Sequence, residues 1–380
     1  MGTKFRLKWG SRLSLANLRS IPVSPAYYLY PTVKVFLPIG QFQEVGTESS
    51  FRSWHFLLGK LSLSKFLQMK LNNFLFRFLP FFLSRWCIAC LGRFYYLLNR
   101  RDKALIAKTI RHVLHGRMSS EEIRRKTKGA FGGIFDHYHE KLFIGYSNLP
   151  KLLDFIRTRV CFQGEEKLKE TLAAGKGVIL VTGHFGAVEF LPGTLAVHGF
   201  PTSVICRFQT NRLRETLGRR AAWIGLDVID SDQENSFLAA VKALKAGRIL
   251  ITECDEFDEW RPDPKQGTYF LDRRLTGDRT LEILSKRSGA PVVAAIVKRD
   301  GGRQYTCHLT ALGNGAAPVN MSISQKCLRI LDASVKAHPE QWYQWKKFGK
   351  MINIDPGVVH DRPKAGYLAP EIGISLPDQA

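Results

Sequence analysis

From about residue 160 onward, short apolar runs alternate with amphipathic stretches, and this alternation is the strongest constraint on the fold. The runs 178–181, 203–206, 248–252 and 291–296 are predicted as strands, and the stretches 165–174, 187–198, 211–224, 235–246 and 281–288 as helices. Parallel strands need a long, usually helical, crossover between them. The alternation therefore predicts an α/β fold with a largely parallel sheet flanked by helices.

The chain on either side of this region has a different character. Residues 1–65 show no sustained period and contain many turn formers, which predicts a poorly ordered N-terminal extension. Residues 66–160 are predicted to form a helical, membrane-associating region, and 103–116 within it carries apolar residues at helical spacing. Residues 161–350 form the predicted α/β domain, and residues 351–380, rich in Pro and Gly, a loose tail.

The stretch 74–98 is the one that most resembles a membrane segment. It is rich in aromatic side chains but is interrupted by Arg77, Pro80, Arg85 and Arg93. A free-standing membrane-spanning helix needs about 20 consecutive apolar residues with few charges. Aromatic residues mixed with Arg instead favour a helix that lies in the interface of an anionic membrane. A buried helix of the protein core is the alternative.

The chain is strongly basic, with 56 Lys and Arg against 33 Asp and Glu. Such a balance favours an anionic partner, which can be nucleic acid, an anionic membrane surface or a phosphorylated substrate. The sequence contains no zinc finger, helix-turn-helix signature or stacking-platform motif. A basic nucleic-acid-binding protein is therefore kept as the competing hypothesis, and no nucleic-acid partner is predicted.

Two patterns raise the question of a metal site. Cys87 and Cys90 form a lone C-x2-C with no second pair or nearby His at zinc spacing, so buried thiols are favoured over zinc ligands. Residues 136–140, Asp-His-Tyr-His-Glu, hold four potential ligands, but alternate residues of a helix point in different directions. The sequence predicts neither a metal nor a cofactor. The odd number of cysteines, seven, favours a reducing compartment over a disulfide-stapled secreted domain.

The residues that point most directly to chemistry are His184 and Glu189, which follow the first strongly predicted strand. On one continuous helix they would lie about 140° apart, so they meet only if His184 precedes the helix and Glu189 lies within it. Gly183 and Gly186 permit the tight turn that this requires. A carboxylate beside an imidazole makes a general base. A structural His beside an exposed Glu is the alternative that spacing alone leaves open.

The segment His184-Phe185-Gly186-Ala187-Val188-Glu189 resembles the H-x4-[D/E] motif of the glycerolipid acyltransferase superfamily. Its flanking Gly-His-Phe-Gly is most similar to the lipid A biosynthesis (lauroyl/myristoyl) branch. Further segments agree with that branch in the same order: Val204-Ile205-Cys206-Arg207 followed by Asn211, then 249–255 ending in Asp255, Tyr269-Phe270-Leu271, 288–293, and Pro339-Glu340-Gln341-Trp342 with Trp345. The resemblance covers about residues 66–350.

This resemblance implies an enzyme that moves a fatty acyl group from a thioester, on acyl carrier protein or coenzyme A, to a hydroxyl of a membrane lipid. The acceptor it implies is a lipid A precursor. It also implies that His184 is the general base and that Glu189 orients it. Arg207 would bind a phosphate of the acceptor or help to stabilise developing negative charge. Asn211 would bind the acceptor, and Asp255 would hold Arg207 or the acceptor. A plain surface pair of Arg207 with Asp255 is the alternative.

Two departures from the family pattern bear on the acceptor. Glu256 stands where Gln is usual and Leu271 where Gly is common, and both are expected to shape the acceptor pocket. A lysophospholipid, a phosphatidylinositol glycolipid or an aminolipid is therefore kept as an alternative acceptor. The expected location is the cytoplasmic face of the bacterial inner membrane, against its anionic surface.

Overall fold

A computed structural model of the protein describes residues 79–208, 211–232, 235–312 and 321–353. These residues belong to one structural unit, Arg52–Ala380. The predicted N-terminal extension, 1–65, lies outside the described residues, and so does the predicted tail from residue 354 onward.

Within the described residues, four helices precede the sheet, and capping side chains set the start of three of them. The helices are α1 (Phe81–Leu98), α2 (Arg100–Leu114), α3 (Ser120–Tyr146) and α4 (Leu149–Arg159). Asn99 caps α2, Ser119 forms a reciprocal capping box with Glu122 at the start of α3, and Asn148 caps α4. Each cap accepts a hydrogen bond from a backbone N–H that has no partner within its helix. The described part of the region before the sheet, residues 79–159, is thus mainly helical.

The remaining elements build an α/β unit with a central sheet and a separate hairpin. The strands are β1 (Val160–Gln163), β2 (Val178–Thr182), β3 (Thr202–Cys206), β4 (Asp227–Asp230), β5 (Ile249–Glu253), β6 (Pro262–Phe270), β7 (Arg273–Asp278), β8 (Val292–Gly301) and β9 (Gln304–Ala311). The helices are α5 (Glu165–Ala173), α6 (Leu191–Val197), α7 (Asn211–Trp223), α8 (Ser236–Lys245), α9 (Thr280–Ser288), α10 (Ile323–Ala337) and α11 (Trp345–Met351).

Seven strands form the central sheet in the order β1-β9-β8-β2-β5-β3-β4. All neighbouring strands in it are parallel except β8 and β9, which form an antiparallel pair. The strands that follow β2 in the chain lie on both sides of it, with β8 next to one edge and β5 next to the other, so the strand order reverses at β2. The predicted mixed α/β class with a largely parallel sheet is confirmed. In such sheets the crevice at a switch in strand order, outside the carboxyl ends of the strands, is the usual ligand site.

The central strand β2 is buried along its whole length and separates two apolar cores. Ile179 and Val181 pack into one core and Val178 and Leu180 into the other, as the two-residue period of a strand requires. Burial of each such side chain contributes about 1.5–3 kcal/mol. Both faces of β2 are therefore held rigid up to its last residue, Thr182.

Helix α1 has two faces of different character. One face packs on α3, where Gly92 lies so close to the Phe135 ring that an added Cβ would stand 2.3 Å from it. The other face exposes Phe82, Trp86, Phe94 and Leu97. Within the described residues, no helix combines the length and the apolar character needed to cross a bilayer.

The hairpin of β6 and β7 turns at Leu271 and Asp272, which have φ angles of +50° and +61°. Glycine is favoured in this left-handed region, and a side chain there costs about 1–2 kcal/mol. Leu271 is nevertheless buried, and its N–H donates to Asp332 Oδ1 at 2.6 Å. Leu271 stands where Gly is common in the family pattern. The positive φ of this position is a conformation that favours Gly.

Candidate functional site

A cavity of about 950 Å³ opens at the carboxyl ends of three neighbouring strands. The last residues of β2, β3 and β5, which are Thr182, Cys206 and Glu253, all line it. His184 and Glu189 also line the cavity. The location agrees with the rule that open α/β sheets bind ligands at this edge.

His184 lies on a tight turn between β2 and a short 3-10 helix, Val188–Phe190, which contains Glu189. Gly186 makes the turn possible, with a φ of +58° and a backbone so close to β8 that an added Cβ would lie 1.8 Å from the Val297 carbonyl oxygen. The turn is fixed by two backbone hydrogen bonds, from Gly186 N–H to the Gln341 carbonyl and from Ala187 N–H to the Val297 carbonyl, each at 2.9 Å. His184 is therefore presented from a rigid loop.

Asp255 is the carboxylate that holds the imidazole. Its Oδ1 lies 2.8 Å from His184 Nδ1, and the backbone N–H of His184 donates to both of its oxygens at 3.1 Å. The indole N–H of Trp342 donates to Oδ2 at 2.8 Å. Asp255 is fully buried, at 0% exposure, so these hydrogen bonds replace the water that its charge would otherwise require. Because a carboxylate accepts, the contact fixes the proton of His184 on Nδ1 and leaves Nε2 facing the cavity.

The other ring nitrogen faces two more carboxylates. His184 Nε2 lies 3.2 Å from Glu253 Oε2 and 3.1 Å from Glu256 Oε1. Burial lowers the pKa of His184, but attraction of the imidazolium by Glu253 and Asp255 outweighs it, and the pKa stands well above its usual value. Burial raises the pKa of Glu253 to about 7. Burial also opposes the charge of Glu256, but hydrogen bonds from His184 and Lys347 bring its pKa down to about 2.

Glu189 extends from the 3-10 helix toward a different wall of the cavity, which α3 provides. Its Oε1 is 3.6 Å from Lys141 Nζ and 3.6 Å from His137 Nδ1. The His137 ring stacks on Tyr343 with 3.5 Å between centroids, and Tyr343 meets the His184 ring edge to face at 5.1 Å. Tyr343 therefore stands between the two imidazoles. The structure brings His184 together with Asp255, and it brings Glu189 together with Lys141 and His137.

Of the residues predicted to bind the acceptor, Arg207 lies at the exposed mouth of the cavity, whereas Asn211 does not line it. Arg207 lines the cavity but is 59% exposed, and it pairs with Asp232 at 3.1 Å and with Glu259 at 2.6 Å. Asn211 begins α7, is exposed, and accepts a hydrogen bond from Arg214. The expected pairing of Arg207 with Asp255 is wrong, because the Asp255 carboxylate is committed to His184 and Trp342 in the core.

The two departures from the family pattern differ in their relation to the site. Glu256 lines the cavity, and its Oε1 lies 3.1 Å from Nε2 of His184. Leu271 packs with the hairpin against α10 through Asp332. Of the two positions that depart from the family pattern, Glu256 therefore lines the cavity and Leu271 does not.

The segment 136–140 does not form a common ligand set. Its polar side chains have separate partners: Asp136 pairs with Arg85, His137 stacks on Tyr343, His139 contacts Ser84, and Glu140 pairs with Arg299. In the part of the chain that the structure describes, potential metal ligands come together at His184, Glu253 and Glu256, whose ligand atoms lie within 4.8 Å of one another. A cation there would occupy Nε2 of His184, so it would exclude proton transfer at that nitrogen.

Three residues of the site were not anticipated. Glu253 could have been found, since it ends the strand next to β2 in a parallel sheet. Trp342 belongs to a recognised segment, but nothing in the sequence indicates that its indole reaches Asp255. Lys141 comes from α3, 43 positions before His184, and no local pattern links them.

Comparison with known proteins adds one finding to this geometry. The model of a family described as bacterial lipid A biosynthesis acyltransferase matches residues 54–347, which include every predicted site residue and the cavity lining apart from Lys350. No curated protein matches the chain.

Proposed function

The chain belongs to the bacterial lipid A biosynthesis acyltransferase family and is an enzyme that transfers acyl groups, and we propose that it acylates a hydroxyl of a lipid A precursor. The donor in this proposal is an acyl thioester, on acyl carrier protein or coenzyme A. The observation that carries the proposal is the buried Asp255–His184 pair, with Nε2 of His184 directed into a large cavity.

His184 acts as the general base in this mechanism. Because the pKa of His184 is raised, the imidazolium must first lose its proton from Nε2. The neutral ring, with its remaining proton on Nδ1 held by Asp255, then accepts the proton of the acceptor hydroxyl at Nε2. The hydroxyl oxygen then attacks the thioester carbonyl carbon, and the bond to sulfur breaks. The departing thiolate takes the proton back from the imidazolium. No metal or cofactor enters these steps.

A covalent acyl-enzyme is not part of the proposal. Cys206 and Cys254 both line the cavity, and their thiols are the most nucleophilic groups there that could form a covalent acyl-enzyme. Burial raises the pKa of Cys206 to about 12 and raises that of Cys254 well above its usual value. Since the thiolate is the reactive form, neither thiol is activated at neutral pH. Direct transfer from the thioester to the hydroxyl is therefore favoured.

The acyl chain fits the apolar part of the same cavity. Near α4, α6, β3 and α7 its lining is mainly aliphatic, although Arg220 also contributes; the aliphatic residues include Leu152, Ile156, Val188, Val204, Leu217 and Ile224. Small-molecule sites usually have volumes of about 300–1,000 Å³, and this cavity lies near the upper end of that range. Each methylene of an acyl chain buried there contributes about 0.8 kcal/mol. The mouth carries Arg207, with Asn211 near it in the chain, and we assign both to the acceptor headgroup. Arg207 suits a phosphate because its guanidinium donates two parallel hydrogen bonds.

The enzyme is proposed to work at the cytoplasmic face of the bacterial inner membrane. Two observations support this location: the net charge of +23 and the exposed aromatic face of α1. A basic protein is attracted to an anionic leaflet, and exposed aromatic side chains insert at its interface.

The proposed roles are tested by comparing His184→Ala, Asp255→Asn and the wild type in transfer of a dodecanoyl group from its thioester to a purified lipid A precursor. His184→Ala is expected to abolish transfer, and Asp255→Asn to reduce kcat by about 10²–10⁴-fold because the tautomer is no longer fixed. Near-normal turnover of His184→Ala would exclude the general-base role.

The acceptor is tested separately by mass spectrometry of total lipids from cells with and without the gene. A lipid A species that lacks one acyl chain in the deletion strain supports the proposal. A change confined to a lysophospholipid, a phosphatidylinositol glycolipid or an aminolipid would replace the acceptor while retaining the chemistry.

A further inference from the structure

The carboxylate of Glu189, the last residue of the H-x4-E segment, faces an ammonium group. Lys141 Nζ lies 3.6 Å from Glu189 Oε1, which is within ion-pair range but longer than a hydrogen bond. The Lys141 side chain is 37% exposed and lines the cavity that contains His184. Among the described residues no acceptor lies within hydrogen-bond distance of Nζ, so the donors of this ammonium are free to meet a ligand.

The backbone that carries Lys141 is firmly anchored. The preceding residue of α3, Glu140, is buried and forms a two-bonded ion pair with Arg299 of β8, with both N–O distances at 2.8 Å. Attraction by the carboxylate of Glu189 raises the pKa of Lys141, so the ammonium stays protonated. On the same wall, burial keeps the pKa of His137 well below its usual value, so its ring is neutral. The charge that this wall offers to a ligand is therefore that of Lys141.

The transfer reaction creates a need for such a cation. When the hydroxyl oxygen bonds to the thioester carbon, the carbonyl electrons move to the carbonyl oxygen and leave a negative charge there. The walls around His184 carry Glu253, Glu256 and Glu189, which would oppose that charge. Hydrogen-bond donors or a cation must therefore stabilise it, and the ammonium of Lys141 is both.

We infer that Lys141, held in position by Glu189, binds the oxyanion of the tetrahedral intermediate. In this assignment Lys141 is a catalytic residue and Glu189 a positioning residue that acts through it, while Asp255 orients His184. As the intermediate collapses, the carbonyl double bond reforms, the carbon–sulfur bond breaks, and the thiolate takes the proton from His184. The inference rests on the acyl transfer proposed above.

The first test compares Lys141→Met, Lys141→Arg and the control Lys128→Met, an exposed lysine of the same helix α3. With a dodecanoyl thioester and a purified lipid A precursor, Lys141→Met is expected to lower kcat by about 100-fold or more, the usual effect of losing an oxyanion donor. KM should change little, because the charge appears only in the transition state. Lys141→Arg should recover much of kcat, and Lys128→Met should equal the wild type.

The second test is a double-mutant cycle between Lys141→Met and Glu189→Gln. If Glu189 acts through Lys141, Glu189→Gln lowers kcat in the wild type but has little further effect when Lys141 is Met. If the two losses of kcat multiply in the double variant, Glu189 acts independently of Lys141. That result would overturn the inference and favour the role in which Glu189 orients His184.

Two other outcomes also overturn the assignment of Lys141. One is an unchanged kcat in Lys141→Met, and the other is a loss confined to KM for the acceptor, which would identify Lys141 as a binder of acceptor phosphate. Thermal unfolding of each variant identifies any that fails to fold. If Lys141→Met does not fold, the test relies on Lys141→Arg, whose kcat should stay close to that of the wild type. A failure of acyl transfer itself is distinguished because the wild type would then be inactive with the same substrates.

Discussion

Trp342 donates its indole N–H to Asp255 Oδ2 at 2.8 Å, and Asp255 Oδ1 accepts a hydrogen bond from Nδ1 of His184. Both Trp342 and Asp255 are fully buried. The Pro-Glu-Gln-Trp segment near the end of the family match thus completes the solvation of the carboxylate that orients the imidazole. Gln341 adds a second link, since its carbonyl accepts from Gly186 N–H on the His184 turn.

Trp342→Phe is expected to lower both stability and turnover. A hydrogen bond to a charged group contributes about 1.5–3 kcal/mol, and its loss leaves Asp255 less able to hold His184. We expect kcat to fall by about tenfold or more. Trp345→Phe is the matched control, because Trp345 is equally buried but donates to the Pro339 carbonyl, away from Asp255. Equal kcat values for the two variants would contradict a positioning role for Trp342.

Glu256→Gln, which restores the residue usual in the family, is expected to shift the pH dependence of kcat/KM. The carboxylate of Glu256 lies 3.1 Å from His184 Nε2 and favours the imidazolium, which cannot act as a base. Removing that charge lowers the pKa of His184, so the neutral form persists to lower pH. The acidic limb of the profile should therefore move to lower pH, and activity relative to the maximum should rise at acidic pH.

Glu259→Gln is the control for this shift. Glu259 also lines the cavity, but it pairs with Arg207 at the mouth. Its substitution should leave the acidic limb in place. An acidic limb that does not move in Glu256→Gln would argue that another group sets the protonation of the base.

Gly186→Ala tests the turn that presents His184. The substitution combines a positive φ with a Cβ that would stand 1.8 Å from the backbone oxygen of Val297, and that oxygen belongs to a strand in the sheet. We expect loss of folded protein or of all activity. Gly175→Ala is the control, because Gly175 has a φ of +74° but open space around the added Cβ. It should cost only about 1–2 kcal/mol of stability, measured by denaturant unfolding.

Glu140→Gln is expected to destabilise the fold strongly. Glu140 is 2% exposed and forms a two-bonded pair with Arg299, so its neutralisation leaves a buried, unpaired guanidinium. Removing one partner of a buried ion pair costs about 3–5 kcal/mol. Asp136→Asn breaks a pair of the same geometry with Arg85, which is largely exposed, and should cost about 1 kcal/mol or less. Similar unfolding free energies for the two variants would be inconsistent with this account.

The sequence predicted the strands and helices that have a clear apolar pattern along the chain. The four predicted strands correspond to β2, β3, β5 and β8, and the predicted helices in this region all occur. The helix expected over 187–198 is divided into the 3-10 turn Val188–Phe190 and α6, because Pro192 has no N–H to donate to the carbonyl of Val188. Strand β4, of four residues, and the antiparallel strand β9 were not predicted, since their apolar patterns are short or incomplete.

The site was predictable only in part, for a physical reason. Chain order and spacing indicated that His184 lies on the turn and that Asp255 follows a strand. They did not indicate which carboxylate contacts the imidazole, because that depends on the adjacency of β2 and β5 in the sheet. Whether Glu189 or Asp255 contacts the imidazole therefore depends on the topology of the sheet. Glu189 turns toward α3, which comes from a distant part of the chain.

The exposed face of α1 is the surface on which the proposed membrane location depends. At 100° per residue, Phe82, Trp86, Phe94 and Leu97 lie within an arc of about 120°, and Arg93 lies inside the same arc. Burying one such side chain in the interface contributes about 1.5–3 kcal/mol.

The double substitution of Trp86 and Phe94 by Ser should therefore weaken binding to vesicles containing phosphatidylglycerol by at least about tenfold, as measured by co-sedimentation. Trp223→Ser is the control, because Trp223 is 81% exposed but ends α7, outside this face. Vesicle binding that is unchanged in the double variant, or reduced equally by Trp223→Ser, would remove α1 as the contact. Activity on a detergent-dispersed acceptor should survive in the double variant, since none of the substituted residues lines the cavity.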